Sequence, residues 1–179
     1  MPELPEVEAT ARLLNAAVKG ATIESTMAPG VAALKTFDPP LHALDGSEIA
    51  AIRRRGKLLL VDADSDERGH LTLVLHLMSA GRLQLFDKRA SMKDRTSRIL
   101  LRLDGDRELR LREFGTKQAA GVKVLTLDGL EAEAALKTLG PEAWPDPPDL
   151  GELLSSARPL HSLLRDQQVI AGIGRTWVD

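Results

Sequence analysis

The chain has 179 residues, enough for one domain of ordinary size or for one domain and part of another. Hydrophobic residues make up 43% and charged residues 28%, which excludes a disordered tail or a collagen-like fibre; the lack of cysteine excludes a zinc ribbon or a disulfide framework within the chain. With 24 Lys and Arg against 26 Asp and Glu, the formal charge is −2, so a uniformly basic nucleic-acid coat is excluded while a local basic face is not.

The N-terminus predicts a helix. Pro2, Leu4 and Pro5 stand at its start, with Glu3, Glu6 and Glu8 around the first turn, where acids offset the helix dipole. Leu4, Val7, Ala11, Leu14 and Val18 recur at helical steps and form one apolar stripe, which Lys19-Gly20 ends. From Ala21 the period shortens. Strands are expected over Ala21–Met27, Glu48–Arg55, Lys57–Asp62, Leu71–Leu77, Arg82–Phe86, Arg98–Leu103, Glu108–Arg112 and Gly121–Leu125, with Asp104-Gly105-Asp106 as a hairpin turn. So many short, closely spaced strands point to a sandwich or barrel. Asp128–Leu139 is read as a helix capped by Asp128. Gly140–Pro148, with four prolines in nine residues, reads as a stiff linker, and Asp149–Ser156 and Pro159–Arg165 as further helices. The glycine-punctuated run Val169–Gly174 then leads into what reads as the start of another helix. No apolar run approaches the roughly 20 residues of a membrane helix, and the N-terminus lacks the basic and apolar regions of a signal peptide. The expectation is a cytoplasmic, monomeric protein.

Pro2 is the first candidate for chemistry. Once Met1 is removed, it is a secondary amine. An α-amino group titrates near 7.7–8.0, so some of it is unprotonated at neutral pH and able to attack a carbonyl-type carbon. Met-Pro is also a common protein start. Glu3 beside it can move the protons that imine chemistry needs, or can serve with Glu6 as a dipole-compensating acid.

The run Met1-Pro2-Glu3-Leu4-Pro5-Glu6-Val7-Glu8 resembles the N-terminus of the formamidopyrimidine-DNA glycosylase / endonuclease VIII family. Leu4 favours the formamidopyrimidine branch, because endonuclease VIII usually has glycine there. The resemblance implies an α+β fold: an N-terminal helix packed on a two-layer β-sandwich, then the first helices of a helix–two-turn–helix domain. The implied boundaries are a catalytic β-sandwich over 1–127, a helix and proline-rich linker over 128–148, and a partial DNA-binding domain over 149–179. The chain is thus expected to be truncated within that last domain. No cofactor is expected in it; a zinc finger is expected only in a full-length relative.

The resemblance also implies roles. Pro2 would attack C1′ of a damaged nucleotide, with Glu3 as its acid–base partner, and strand cleavage by elimination would follow. Lys57, after the basic run Arg53–Arg55, would contact phosphate near the lesion, while Arg53–Arg55 themselves suit a solvated strand end. The segment His76-Leu77-Met78-Ser79-Ala80-Gly81 is similar to the family pattern His-Leu-x-Met-x-Gly. There the histidine binds phosphate and the methionine wedges into the base stack. Ser79 holds the methionine position here and Met78 comes one residue early, as a displaced wedge or as core. Arg112-Glu113-Phe114-Gly115 resembles the loop whose arginine faces the orphaned base and whose phenylalanine supports the wedge. Arg112 equally suits an outward position on the preceding strand.

Leu163–Gly174 resembles the hairpin of the helix–two-turn–helix domain. Gly172 and Gly174 would let backbone amides approach a phosphate, and Arg175 replaces the usual asparagine. The implied function is a DNA glycosylase and abasic-site lyase of base excision repair, acting on double-stranded DNA with oxidised bases, chiefly purines, or abasic sites. The alternative is a non-catalytic protein of the same fold that binds damaged or abasic DNA. A tautomerase with an N-terminal proline is a third reading, but such chains are shorter and lack the basic strand and the terminal hairpin.

Overall fold

In the computed structural model, which describes every residue except Met92 and Asp179, helix α1 covers Leu4–Val18. It buries the stripe Leu4, Val7, Ala11, Leu14 and Val18. Eight strands follow: β1 (Ile23–Met27), β2 (Glu48–Arg55), β3 (Leu58–Ser65), β4 (Gly69–His76), β5 (Gly81–Phe86), β6 (Ser97–Leu103), β7 (Glu108–Glu113) and β8 (Gly121–Thr126). They form two antiparallel four-stranded sheets, ordered β1-β6-β7-β5 and β2-β3-β4-β8. Between β1 and β2 the chain makes 3₁₀ turns at Val31–Ala33 and Leu41–Leu44.

Period-two alternation explains the two layers. Leu71, Leu73 and Leu75 of β4 point into the main core with Leu59 and Val61 of β3, Leu109 and Leu111 of β7, and Val7 and Ala11 of α1. Val74 points the other way. With Leu58, Leu60 and Leu125 it makes a smaller apolar cluster covered by Leu130, Leu136 and Leu139. β3 is therefore buried on both faces over most of its length, and the lysine just before it sits in the turn that leads into this rigid strand. The β6–β7 hairpin turns at Gly105 and Asp106, both with positive φ (66° and 60°), as a primed turn requires.

The segment after β8 differs from the single expected helix. It forms α2 (Leu127–Ala132) and α3 (Ala134–Lys137), broken at Glu133, whose ψ of 112° is extended. The cap is Thr126, whose hydroxyl accepts from Gly129 N–H at 3.2 Å; Asp128 lies inside the first turn instead. Glu133 breaks the helix because its carboxylate has better partners elsewhere: Lys123 Nζ at 2.7 Å and the Ala135 amide at 3.1 Å. Further on are α4 (Leu150–Leu154), α5 (Leu160–Arg165) and α6 (Arg175–Val178). No helix among the described residues is long and apolar enough to cross a membrane.

Candidate active site

Three segments far apart in sequence converge at the start of α1. The Glu3 backbone N–H donates to Glu6 Oε2 at 2.9 Å, which orders the first helical turn. The Glu3 side chain turns away from the helix and is only 2% exposed. Its Oε2 accepts from Gly174 N–H at 2.7 Å and its Oε1 from Thr176 N–H at 2.8 Å. Burial alone would raise its pKa. The Thr176 and Gly174 amides, the Thr176 side chain and the nearby Lys57 outweigh that effect and hold it below the ordinary 4.5. Glu3 is therefore a carboxylate at neutral pH.

Lys57 follows Gly56 in the β2–β3 turn, one residue before the strand expected to contain it. Burial lowers its pKa, Glu3 works in the opposite direction, and Arg165 adds to the lowering. Gly174 is where the two charged groups meet. A methyl group there would lie 2.5 Å from Glu3 Oε1 and 2.6 Å from Lys57 Nζ, so only glycine fits without displacing one of them. Gly172 has φ of +104°; its carbonyl accepts from Leu4 N–H at 2.9 Å, and a methyl there would meet Leu4 Cδ1 at 2.5 Å. Gln167 braces this turn from within, accepting from Gly172 N–H at 3.0 Å and donating to the Ile173 carbonyl at 2.6 Å.

His76 ends β4, half-buried. Burial first, and then Lys57, push its pKa below the ordinary 6.5, so at neutral pH it is an uncharged imidazole that can donate one hydrogen bond. Glu3, Lys57, His76, Gly174 and Arg175 line one cleft of about 500 Å³, with Arg165 and Gln167. Pro2 lines an adjoining cleft of about 390 Å³ with Glu6, Leu77 and Arg82, and Met1 borders both. Met1 precedes Pro2 in this chain, so the Pro2 nitrogen is an amide until Met1 is removed. Among the described residues, no group of three or more His, Asp and Glu is placed to hold a metal ion.

The other sequence-predicted residues line neither cleft. Met78 and Ser79 form the tight β4–β5 turn, closed by Gly81 N–H donating to the Leu77 carbonyl at 2.8 Å; Met78 has φ of +51°. Ser79 is exposed and Met78 half-buried. Arg112 lies in β7 opposite Arg82 and Ser97. Its Nε donates to Thr96 Oγ1 at 2.9 Å, and its guanidinium stacks on Phe114 and Phe86 at 4.7 and 5.5 Å from their ring centroids. Phe114 itself is 45% exposed. Glu113, between them, is buried and holds the following loop through the Ala119 and Ala120 amides at 2.6 and 2.8 Å.

A profile of the formamidopyrimidine-DNA glycosylase N-terminal domain matches residues 1–117. The chain belongs to the formamidopyrimidine-DNA glycosylase family. It is 31% identical to the formamidopyrimidine-DNA glycosylase of Listeria innocua, covering 100% of this chain and 65% of the relative. It is 34% identical to that of Streptococcus thermophilus, covering 100% and 64%. The chain thus spans just under two thirds of the length of these relatives. Its fold superposes on Lactococcus lactis formamidopyrimidine-DNA glycosylase bound non-covalently to DNA with an abasic site. There the TM-score is 0.83 and the identity 25%, over 98% of this chain and 66% of the other.

One part of this glycosylase-family site was misread from sequence. Arg54 and Arg55 are not a solvated strand end. The Arg54 side chain is 4% exposed and pairs with Glu8 at 2.9 Å and with Glu142, while Arg55 pairs with Glu142 at 2.7 Å and donates to the Leu139 and Gly140 carbonyls. Arg53 pairs with Asp62. The proline-rich stretch is not a free spacer either: it carries the acid that these arginines hold. An acidic residue between prolines is a visible feature, but a partner 86 to 88 positions away is not readable from one sequence.

Proposed function

We propose that the protein is a DNA glycosylase and abasic-site lyase of base excision repair, removing oxidised bases, chiefly purines, through an imine at Pro2. The observation that carries this reading is the Glu3 carboxylate, buried and ionised, held against Gly174 beside Lys57 and one residue from a proline able to become the N-terminus. Structural relatives support the substrate class: Lactococcus lactis glycosylases bound to DNA carrying an abasic site, Fapy-dG or an oxidised pyrimidine.

With Met1 gone, the Pro2 nitrogen has a free lone pair. It bonds to C1′ of the damaged nucleotide while the C1′–base bond breaks and the base leaves as an anion that water protonates. Glu3 takes the proton shed by the Pro2 ammonium and returns it to O4′ as the deoxyribose ring opens to leave an iminium. The iminium acidifies C2′, and transfer of that proton to the Glu3 carboxylate or to water expels the 3′ phosphate. Lys57 and the neutral His76 supply a cation and a hydrogen-bond donor to the flanking phosphates. A second reading, a binder of abasic DNA without turnover, draws on Arg112, which is committed to Thr96 and two phenylalanine rings, and on the small Ser79.

Borohydride trapping on an abasic-site duplex separates the two. The expected result is a covalent complex whose crosslink maps to Pro2 by mass spectrometry. A crosslink on Lys57 overturns the assignment of the nucleophile. Binding without any trapping by the chain lacking Met1 leaves the second reading.

A further inference from the structure

The segment Pro141–Ala143 makes two sets of bonds that face opposite ways, one from the Glu142 side chain and one from the flanking backbone. The Glu142 carboxylate faces the β2–β3 turn: Oε1 accepts from Gly56 N–H and from Arg55 Nη1, each at 2.7 Å, and Oε2 accepts from Arg54 Nη1. Arg54 Nη1 also donates to the Gly56 carbonyl at 3.0 Å, and Arg54 Nε reaches Glu8 of α1 at 2.9 Å. The main chain around Glu142 faces the glycine turn. It bridges Ala171 in parallel, with Ala171 N–H donating to the Pro141 carbonyl at 2.8 Å and Ala143 N–H to the Ala171 carbonyl at 3.1 Å.

The positions of these bonds matter. Gly56 is the residue before Lys57. Ala171 is the residue before Gly172, which holds Leu4, and lies three before Gly174, which holds Glu3. The side chain of Glu142 therefore fixes the peptide that aims Lys57, while the backbone of its two neighbours, Pro141 and Ala143, fixes the segment that brings the donors to Glu3. Glu142 does not itself line the cleft. Its carboxylate is half-buried and fully occupied, and three charge-assisted donors converge on it, an arrangement that tolerates little play.

We infer that Glu142 is a positioning residue: it holds the Lys57 ammonium in register with the Glu3 carboxylate for the chemistry at Pro2. This rests on the function proposed above. A residue that merely stabilised the fold would affect the rate to the same extent whether or not Lys57 were present.

The test is a double-mutant cycle on the 179-residue chain freed of Met1. Single-turnover borohydride trapping on an abasic duplex is measured at saturating protein. Glu142→Gln should slow trapping by about 10- to 100-fold, the scale of a misplacement near 1 Å, with the circular dichroism spectrum unchanged. In a Lys57→Ala background the same change should have little further effect. Should Glu142→Gln fail to fold, Glu142→Asp carries the measurement: it keeps the charge facing Arg54 but is one methylene too short to hold Gly56. An unchanged rate, or an equal penalty with and without Lys57, overturns the inference. If the unsubstituted chain does not trap at all, the functional reading falls instead. Peptide-mapped acetylation of Lys57 then decides the positioning: a changed rate in the Glu142 variant supports it, and an identical rate overturns it.

Discussion

The floor of the cleft, where Glu3, Lys57 and Gly174 meet, and the end of the second sheet, where Met78, Ser79, Arg112 and Phe114 stand, are held by opposite kinds of contact. Glu3 takes its donors from residues 171 and 173 positions away, and nothing in that arrangement can shift without moving another charged group. Arg112 takes its partner 16 positions away and otherwise stacks on neighbouring rings, with Ser79 and Phe114 exposed. In the function proposed above, the floor is the part that acts on the sugar. At the sheet end Ser79 is exposed and Met78 half-buried, so less there is fixed in advance. Forming an imine at an existing abasic site needs the floor alone, whereas excising an intact base needs both regions.

The largest effect should come from Gly174→Ala. The added methyl overlaps Glu3 Oε1 and Lys57 Nζ, so trapping on an abasic duplex should fall about 100-fold with the sandwich still folded. A rate within a factor of about two of the parent would mean that the floor is not the rigid element it looks to be. Next, single-turnover rates on an abasic duplex should exceed those on an 8-oxoguanine duplex by about tenfold or more, since extrusion costs a few kcal/mol that this sheet end does little to offset. Equal rates would erase the contrast between the two regions.

A smaller effect is expected from Ser79→Met, which should raise the rate on the lesion duplex severalfold and leave the abasic rate alone. No gain there, combined with a large loss on Met78→Ala, would show that Met78 already fills the gap.

The smallest effect concerns acid. Glu3, Glu8, Glu133 and Glu142 all have pKa values held below 4.5 in the folded state. Groups lowered in this way stabilise the fold above their unfolded value and lose that contribution as pH falls through the folded one. The melting temperature should therefore drop below about pH 4.5, and Glu142→Gln should flatten the slope. Asp94, at the sheet end, is pushed far below its ordinary 3.8 by Thr96, Ser97 and Arg112. Hydrogen exchange at mild acid should therefore open the Gly172–Thr176 segment before the Asp94–Ser97 turn. The reverse order would contradict the contrast.

What could be read from sequence followed the range of the interactions. The stripe of α1, the alternation of β4 and the Asp104–Asp106 turn are set by neighbours within a few residues, and each forms where expected. The floor was legible because it is written in compact motifs at Met1–Glu8 and Leu163–Gly174. What escaped was held at a distance or by competition. Glu133 breaks a good helical pattern because Lys123 on a different element claims its carboxylate. Arg54 and Arg55 look solvated until residue 142 arrives. That β7 runs on through Arg112 is set by pairing with Arg82, a partner 30 positions away.

The amide that Glu3 requires belongs to a residue 171 positions further along. At a ribosomal pace of about 5–20 residues per second, roughly nine to thirty-four seconds separate the synthesis of Glu3 from that of the amide. Throughout that interval the site has no floor, and its opening residues are unprotected chain. On the mechanism proposed above, a peptidase that removes Met1 meets a flexible substrate during synthesis and, afterwards, an exposed Met1 beside a half-buried Pro2. On that mechanism, late closure makes maturation and folding sequential events, with the Pro2 amine exposed before Glu3 and Lys57 are brought together.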